Sequence, residues 1–218
     1  MTIRKGVIGS VLCLSLLIAQ EAPRVPRLPT PTPPKTAAYD QPLTGYEVAV
    51  LTAEFVQNLE RGLSEAFEKP ISTAGAGEVT LSDNHPEWAR AALLELKRRD
   101  LIPPRFNGRQ PMKRYQVGIM LARYAQQLDA CMRTHLGKPI GRTRFQTQPR
   151  IALPRRHPAY SALKYLAEGA WVGAESPLYR QPEGAIRGRE LPDMLKQLAQ
   201  RILERYTREK HLEEPAPQ

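Results

Sequence analysis

The chain has 218 residues, a formal net charge of +10 and only 6% aromatic residues. This length allows one or two compact domains, and a composition rich in Ala, Leu, Glu, Arg and Gln favours helices over sheets. The charge indicates an anionic partner, which nucleic acid, anionic lipid and acidic cell-wall polymer would all satisfy. Of the two cysteines, Cys13 lies in the N-terminal segment, so the rest of the chain has Cys131 alone. An intramolecular disulfide and a Cys-rich metal site are thereby excluded once that segment is removed.

Residues 1–19 have the pattern of an export signal. Arg4 and Lys5 provide the positive start, and residues 7–19 are apolar and uncharged. This stretch is shorter than the roughly 20 residues that span a bilayer, and a cleavage site after Ala19 is acceptable. We therefore expect an exported chain without a transmembrane span, located in the cell envelope, the periplasm or on the cell surface.

A Pro-rich linker is predicted at residues 20–40, because six prolines fall within residues 23–34. Such a segment is extended and fairly stiff. It either holds the following domain away from a surface or is a leader without a role.

Apolar residues spaced by three and four positions predict three related amphipathic helices. The three sets are Val48, Leu51, Phe55 and Leu59; Val117, Met120, Tyr124 and Leu128; and Leu191, Met194, Leu198 and Ile202. Successive copies are separated by 69 and 74 residues, which indicates an internal repeat. Thr44 and Glu47 have the spacing of a capping box, so the first helix should run from Thr44 to about Phe67. The third should run from about Arg189 to Arg208.

A different helical unit precedes the second repeated helix. Residues 81–102 should contain a helix that Asp83 or Asn84 caps, with Pro86 in its first turn. Asn107 and Gly108 then predict a turn, because both residues tolerate positive φ.

The same order of features returns farther along the chain. His157-Pro158 follows His85-Pro86 by 72 residues and starts a comparable unit, with Leu178 and Tyr179 in its loop. The intervening residues 131–158 contain no Asp or Glu, and they are either a solvated basic linker or a polyanion-binding segment.

Taken together, these motifs resemble the S-layer homology domain family. The residues that carry the resemblance are Leu81, Ser82, Asp83, Trp88, Ala89, Leu96, Phe106, Asn107, Gly108, Pro111, Met112, Lys113, Arg114, Tyr115 and Gln116. The resemblance extends over roughly residues 41–206. It implies an all-α fold of helix-loop-helix units in a pseudo-threefold bundle, in which the first repeat is incomplete.

The implied organisation divides the chain into seven parts. These are a signal peptide (1–19), the Pro-rich linker (20–40), a partial repeat (41–69), a repeat (79–130), a basic linker (131–152), a divergent repeat (153–208) and a disordered tail (209–218).

The resemblance also implies a set of polysaccharide-binding residues. Arg114 matches the arginine of the family's helix-start motif, and guanidinium groups fit carboxylates bidentately. The matching positions in the other copies are Gly45 and Gly188, and Arg187 and Arg189 flank the latter. The full implied set is Arg114, Lys113, Trp88, Asp83, Arg187 and Arg189.

The leading interpretation is an exported, non-catalytic envelope protein that binds an acidic cell-wall polysaccharide or a peptidoglycan-linked polymer. The main alternative is a self-associating or protein–protein module of the envelope, because three second helices are present but only two first helices. The export signal argues against a nucleic-acid binder, and no groove-reading motif is evident. The four histidines lack metal-ligand spacing and no nucleophile motif occurs, so neither an enzyme nor a cofactor is expected.

Overall fold

The computed structural model describes residues 40–82, 84–102, 106–136, 144–145 and 147–213, with only the backbone described at 136 and 207–213. The predicted signal peptide, residues 20–39 of the predicted linker, and Asp83 lie outside the described residues. The helices are α1 (Gly45–Phe67), α2 (Glu87–Arg98), α3 (Arg114–Leu136), α4 (Tyr160–Glu168), α5 (Pro177–Arg180) and α6 (Glu190–Glu213). Within these ranges there are isolated bridges but no strands, so the predicted all-α class is confirmed.

Helix α1 begins as its sequence predicts. The Thr44 hydroxyl accepts a hydrogen bond from the Glu47 N–H at 3.3 Å, and the Glu47 carboxylate accepts one from the Thr44 N–H at 2.8 Å. The capping box is therefore present. Helix α1 ends at Phe67, as predicted, and Glu68 follows as its C-cap in the left-handed conformation with φ of 52°.

The capping residue provides a first prediction. Thr44→Ala should lower the free energy of unfolding by about 1 kcal/mol, because one helix N–H loses its acceptor. Urea denaturation would measure the change. Thr44→Ser keeps the hydroxyl and serves as the matched control, and equal losses in the two variants would contradict the assignment.

Several predicted boundaries are wrong. Pro86 is the N-cap residue of α2 and no side chain caps that helix, because proline sets the extended backbone before the first turn without help. Leu178 and Tyr179 lie in the short helix α5 and not in a loop. Helix α3 continues to Leu136 into the predicted basic linker, and α6 continues to Glu213 into the predicted disordered tail.

The apolar faces of the three long helices meet in one core. Val48, Val117 and Leu191, the first residues of the three predicted sets, are each 0% exposed and belong to the same hydrophobic cluster. Helix α1 also packs against α2, and α3 packs against α4 and α5. No helix within the described ranges combines the length and hydrophobicity that a membrane span requires.

The short segments before α1, α3 and α6 hydrogen-bond to one another in a closed ring. The Leu43 N–H donates to the Ile186 carbonyl at 2.8 Å, the Ile186 N–H to the Met112 carbonyl at 2.8 Å, and the Met112 N–H to the Leu43 carbonyl at 2.9 Å. The three side chains are buried beneath the ring. Each segment therefore contacts both of the others, and three pairwise junctions result.

A second set of backbone hydrogen bonds repeats the same order around the ring. The Gly45 N–H donates to Gln110, the Arg114 N–H to Gly184, and the Gly188 N–H to Gln41, at 2.9–3.0 Å. These contacts define an α1–α3 junction, an α3–α6 junction and an α6–α1 junction. The residues singled out by the sequence lie mainly at these three places.

Candidate functional site

The α1–α3 junction forms an open cavity. Tyr46 lies in the first turn of α1, and its N–H donates to the Gly108 carbonyl at 2.9 Å. Its ring packs so closely on Gly108 that a Cβ there would meet ring atoms at 2.2–2.5 Å. Gly108 is thus required for this close approach; its φ is not positive, and the positive-φ explanation for the turn is wrong for this residue.

Aromatic side chains surround Tyr46. It makes edge-to-face contacts with His85, Trp88 and Phe106, at centroid distances of 5.9, 5.9 and 6.0 Å. The Tyr46 hydroxyl lies 3.1 Å from His85 Nδ1. Trp88 is half-buried against the core, so one of its roles is to hold Tyr46 in place.

The cavity beside Tyr46 has a volume of about 540 Å³ and is lined by Tyr46, Asn84, His85, Pro86 and Arg109. Arg109 is exposed, and among the described residues no carboxylate lies within ion-pair distance of its guanidinium. The cavity thus combines an aromatic wall, amide and imidazole groups, and a cation whose charge no described residue neutralises.

Arg114 is at the α3–α6 junction and is buried, with 5% of its surface exposed. Its Nε and NH2 groups donate to the two carboxylate oxygens of Glu190 at 2.8 and 2.7 Å, and NH1 donates to the Gln181 carbonyl at 3.2 Å. Gly184 leaves room for the guanidinium, since a Cβ there would lie 2.2 Å from NH1. The residue that matches the family's arginine therefore has its hydrogen-bonding groups engaged by its own chain.

Glu190 shows the electrostatic effect of this pair. Partial burial raises the pKa of Glu190, but the hydrogen bonds from Arg114 and from the Arg187 N–H outweigh it, so the pKa is lowered overall. The ionised carboxylate is therefore the stable form here over a wider acid range than in water.

Lys113, which directly precedes Arg114 in the chain, is half-exposed at the same α3–α6 junction. Its ammonium donates to the Glu183 carboxylate at 2.8 Å and lies 5.6 Å from the centre of the Tyr115 ring. This hydrogen bond raises the pKa of Lys113 and lowers the pKa of Glu183. Glu183 also lies 3.3 Å from His157 Nε2, and His157 packs edge-to-face on Tyr115 at 5.0 Å.

The other two predicted cations lie at the α6–α1 junction. Arg187 is exposed and its backbone bridges to Pro42. Arg189 is exposed and pairs with Asp40 at 3.2 Å. The six predicted residues are therefore spread over all three junctions: Trp88 is at the first, Lys113 and Arg114 are at the second, Arg187 and Arg189 are at the third, and Asp83 lies outside the described residues.

Sequence reasoning missed Tyr46, His85 and Arg109 as a group. Tyr46 falls inside the Thr44–Glu47 capping box, His85 was noted only as part of the recurring His-Pro pair, and Arg109 was not singled out. The signal that could have found them is a Tyr two residues before the first apolar position in two copies, together with a His-Pro pair in the unit that follows each of these tyrosines. Tyr46–His85 and Tyr115–His157 are equivalent ring pairs at two of the junctions, and Tyr46 also contacts Trp88 and Phe106.

Among the described residues, no group of three or more His, Cys, Asp or Glu side chains is placed to hold a metal ion. In comparisons with known proteins, no family model, no curated protein and no solved structure matched this chain.

Proposed function

We propose that this chain is an exported, non-catalytic protein of the cell envelope that binds an acidic polysaccharide at the α1–α3 junction. The observation that carries the proposal is the cavity of about 540 Å³ that Arg109 lines together with Tyr46 and His85. An arginine binds a sugar carboxylate through two parallel hydrogen bonds, and aromatic rings offer a flat apolar face to a sugar ring. The predicted export signal and the net charge of +10 agree with an acidic ligand outside the cytoplasm.

The proposal includes a repeated helix-loop-helix unit in a pseudo-threefold arrangement with an incomplete first copy. Two observations support it. The three pre-helical segments exchange hydrogen bonds in the same order around a closed ring. In addition, at the start of each long helix a backbone N–H donates to the side chain three residues farther along the chain: Thr44 to Glu47, Lys113 to Gln116, and Arg187 to Glu190.

The binding site is tested by Arg109→Ala. A hydrogen-bonded ionic contact contributes about 1.5–3 kcal/mol, so affinity for purified cell-wall sacculi should fall roughly tenfold to a hundredfold in a sedimentation assay. Arg61→Ala removes the same charge from an exposed position far along α1 and should retain binding. Equal pelleting by Arg109→Ala and the wild-type chain would contradict the site.

The ligand class is tested in the same assay. Acid extraction removes the polymer attached to the sacculi, and binding should then be lost. Binding that survives extraction would argue against polymer recognition and in favour of the bare peptidoglycan.

The alternative of a protein–protein module has one observation in its favour. Leu203 of α6 is 45% exposed and is the large exposed hydrophobic residue among those described. However, α3 has Gly118 at the position where α4 and α5 pack, next to Leu163 of α4 and Leu178 of α5. The residue of α6 that corresponds to Gly118 is Pro192, which is exposed. Close packing of another helix on α6 would need a small residue there. Light scattering at high protein concentration tests self-association, because a monomeric mass would argue against it.

A further inference from the structure

The α1–α3 and α3–α6 junctions are built alike but have opposite charges at one position. The Tyr46 N–H donates to the Gly108 carbonyl, and the Tyr115 N–H donates to the Pro182 carbonyl, both at 2.9 Å. The residue after each carbonyl lies near its tyrosine–histidine pair: Arg109 lines the cavity with Tyr46 and His85, and Glu183 lies 3.3 Å from His157. The same place thus carries a cation at one junction and an anion at the other.

At the α3–α6 junction this anion is bound as a ligand would be. The Glu183 carboxylate accepts a hydrogen bond from Lys113 through Oε2 and lies 3.3 Å from His157 Nε2 through Oε1. The His157 Nδ1 atom accepts the Ala159 N–H at 3.1 Å, so a neutral ring carries its proton on Nε2, the nitrogen nearer to Glu183. Tyr115 lies beside both groups, at 5.0 Å from His157 and 5.6 Å from the Lys113 ammonium.

We propose that the α3–α6 junction is a second carboxylate-binding site, lined by Lys113, Tyr115 and His157, which the chain keeps occupied with its own Glu183. This inference rests on the proposed function, since it assigns the same class of ligand, a carboxylate-bearing sugar. The wild-type chain then presents one free site rather than two.

The occupying carboxylate is removable. Lys113 and Glu183 are 49% and 53% exposed, so their pair is solvated and contributes little to folding. The neighbouring Arg114–Glu190 pair is buried and does not depend on Glu183.

The test is Glu183→Gln, titrated with an oligomer of galacturonic acid and followed through backbone amide chemical shifts. Two charges about 4 Å apart in water interact by about 1 kcal/mol, so the variant should bind the oligomer about fivefold more tightly at the Lys113 and Tyr115 amides. The gain should shrink at high salt. Glu78→Gln, at an exposed position with the same change in net charge, should behave like the wild-type chain.

The outcomes separate this inference from the proposed function. Equal shifts at both junctions of the wild-type chain would overturn the inference and leave the proposed function standing. Binding by Glu183→Gln at Lys113 and Tyr115, with no wild-type binding near Arg109, would support the inference and overturn the first site. If neither the wild-type chain nor Glu183→Gln binds the oligomer, the inference is overturned. It is also overturned if Glu183→Gln binds the oligomer no more tightly than Glu78→Gln.

Discussion

Replacing Arg114 with alanine should lower the free energy of unfolding by about 3–5 kcal/mol, the cost typical of breaking a buried ion pair. The side chains of Arg114 and Glu190 are 6% and 11% exposed, so the variant leaves the Glu190 carboxylate without its partner in a poorly solvated place. The pair also joins the start of α3 to the start of α6. Urea denaturation would measure the loss.

Lys113→Ala is the matched control, because the neighbouring Lys113 forms a solvated pair that should contribute less than about 1 kcal/mol. The result discriminates between two roles for Arg114. A binding arginine would lose sacculus binding with little loss of stability, whereas the structural arginine seen here would lose stability first.

The acid dependence of stability tests the same pair. The folded-state pKa of Glu190 is below the ordinary value of 4.5, so its contribution is fully present above that pH and is lost as the pH falls through the lowered folded-state pKa. Between those two values the wild-type chain should lose stability more steeply than Arg114→Ala. Parallel curves of unfolding free energy against pH for the two chains would contradict the Arg114–Glu190 pair as the source of this dependence.

The second large effect is expected at Arg99, which joins the end of α2 to α1. Its guanidinium lies 2.7 Å from the Glu60 carboxylate, and the two side chains are 4% and 6% exposed. Glu60 also accepts hydrogen bonds from the N–H and hydroxyl of Thr73, at 3.1 and 2.6 Å, which attaches the loop after α1 to this pair. Burial lowers the pKa of Arg99, but the hydrogen bonds and negative charges of Glu60 and Glu95 together outweigh it, and the pKa is raised.

Arg99→Met should therefore cost about 3–5 kcal/mol, because Glu60 is left buried with only Thr73 as a partner. Its neighbour Arg98 is the control: it is 50% exposed and pairs with Glu95 at 3.8 Å, so Arg98→Met should change stability by less than about 1 kcal/mol. Thermal unfolding of both variants measures the difference. Similar midpoints would contradict a special role for the buried pair.

The local features of this fold were predictable because each depends on residues close in the chain. The spacing of three and four residues between Val48, Leu51, Phe55 and Leu59 specifies a helix and its buried face, since 3.6 residues make one turn. Thr44 and Glu47 specify the start of α1 through two hydrogen bonds within one turn. The ends of α3 and α6 were less predictable, because how far these helices extend depends on which groups the rest of the fold covers.

The candidate site was predictable only in part. Lys113, Arg114, Arg187 and Arg189 lie at or just before the starts of α3 and α6, where the sequence pattern places them. Which cations have partners could not be read from the sequence, because Arg114 and Glu190 are separated by 76 residues and meet only across a junction. The same holds for Arg109, whose place beside Tyr46 is set by the Gly108 carbonyl.

The sequence by itself determined the all-α class, the apolar face of each long helix and the cap of α1, since these follow from short-range geometry. Only the tertiary structure decided that Arg114 is buried in an ion pair while Arg109 faces an open cavity. The reason is that a charge is neutralised by whatever the fold brings within about 4 Å of it, and in this chain the ring of backbone hydrogen bonds brings together segments 69 and 74 residues apart.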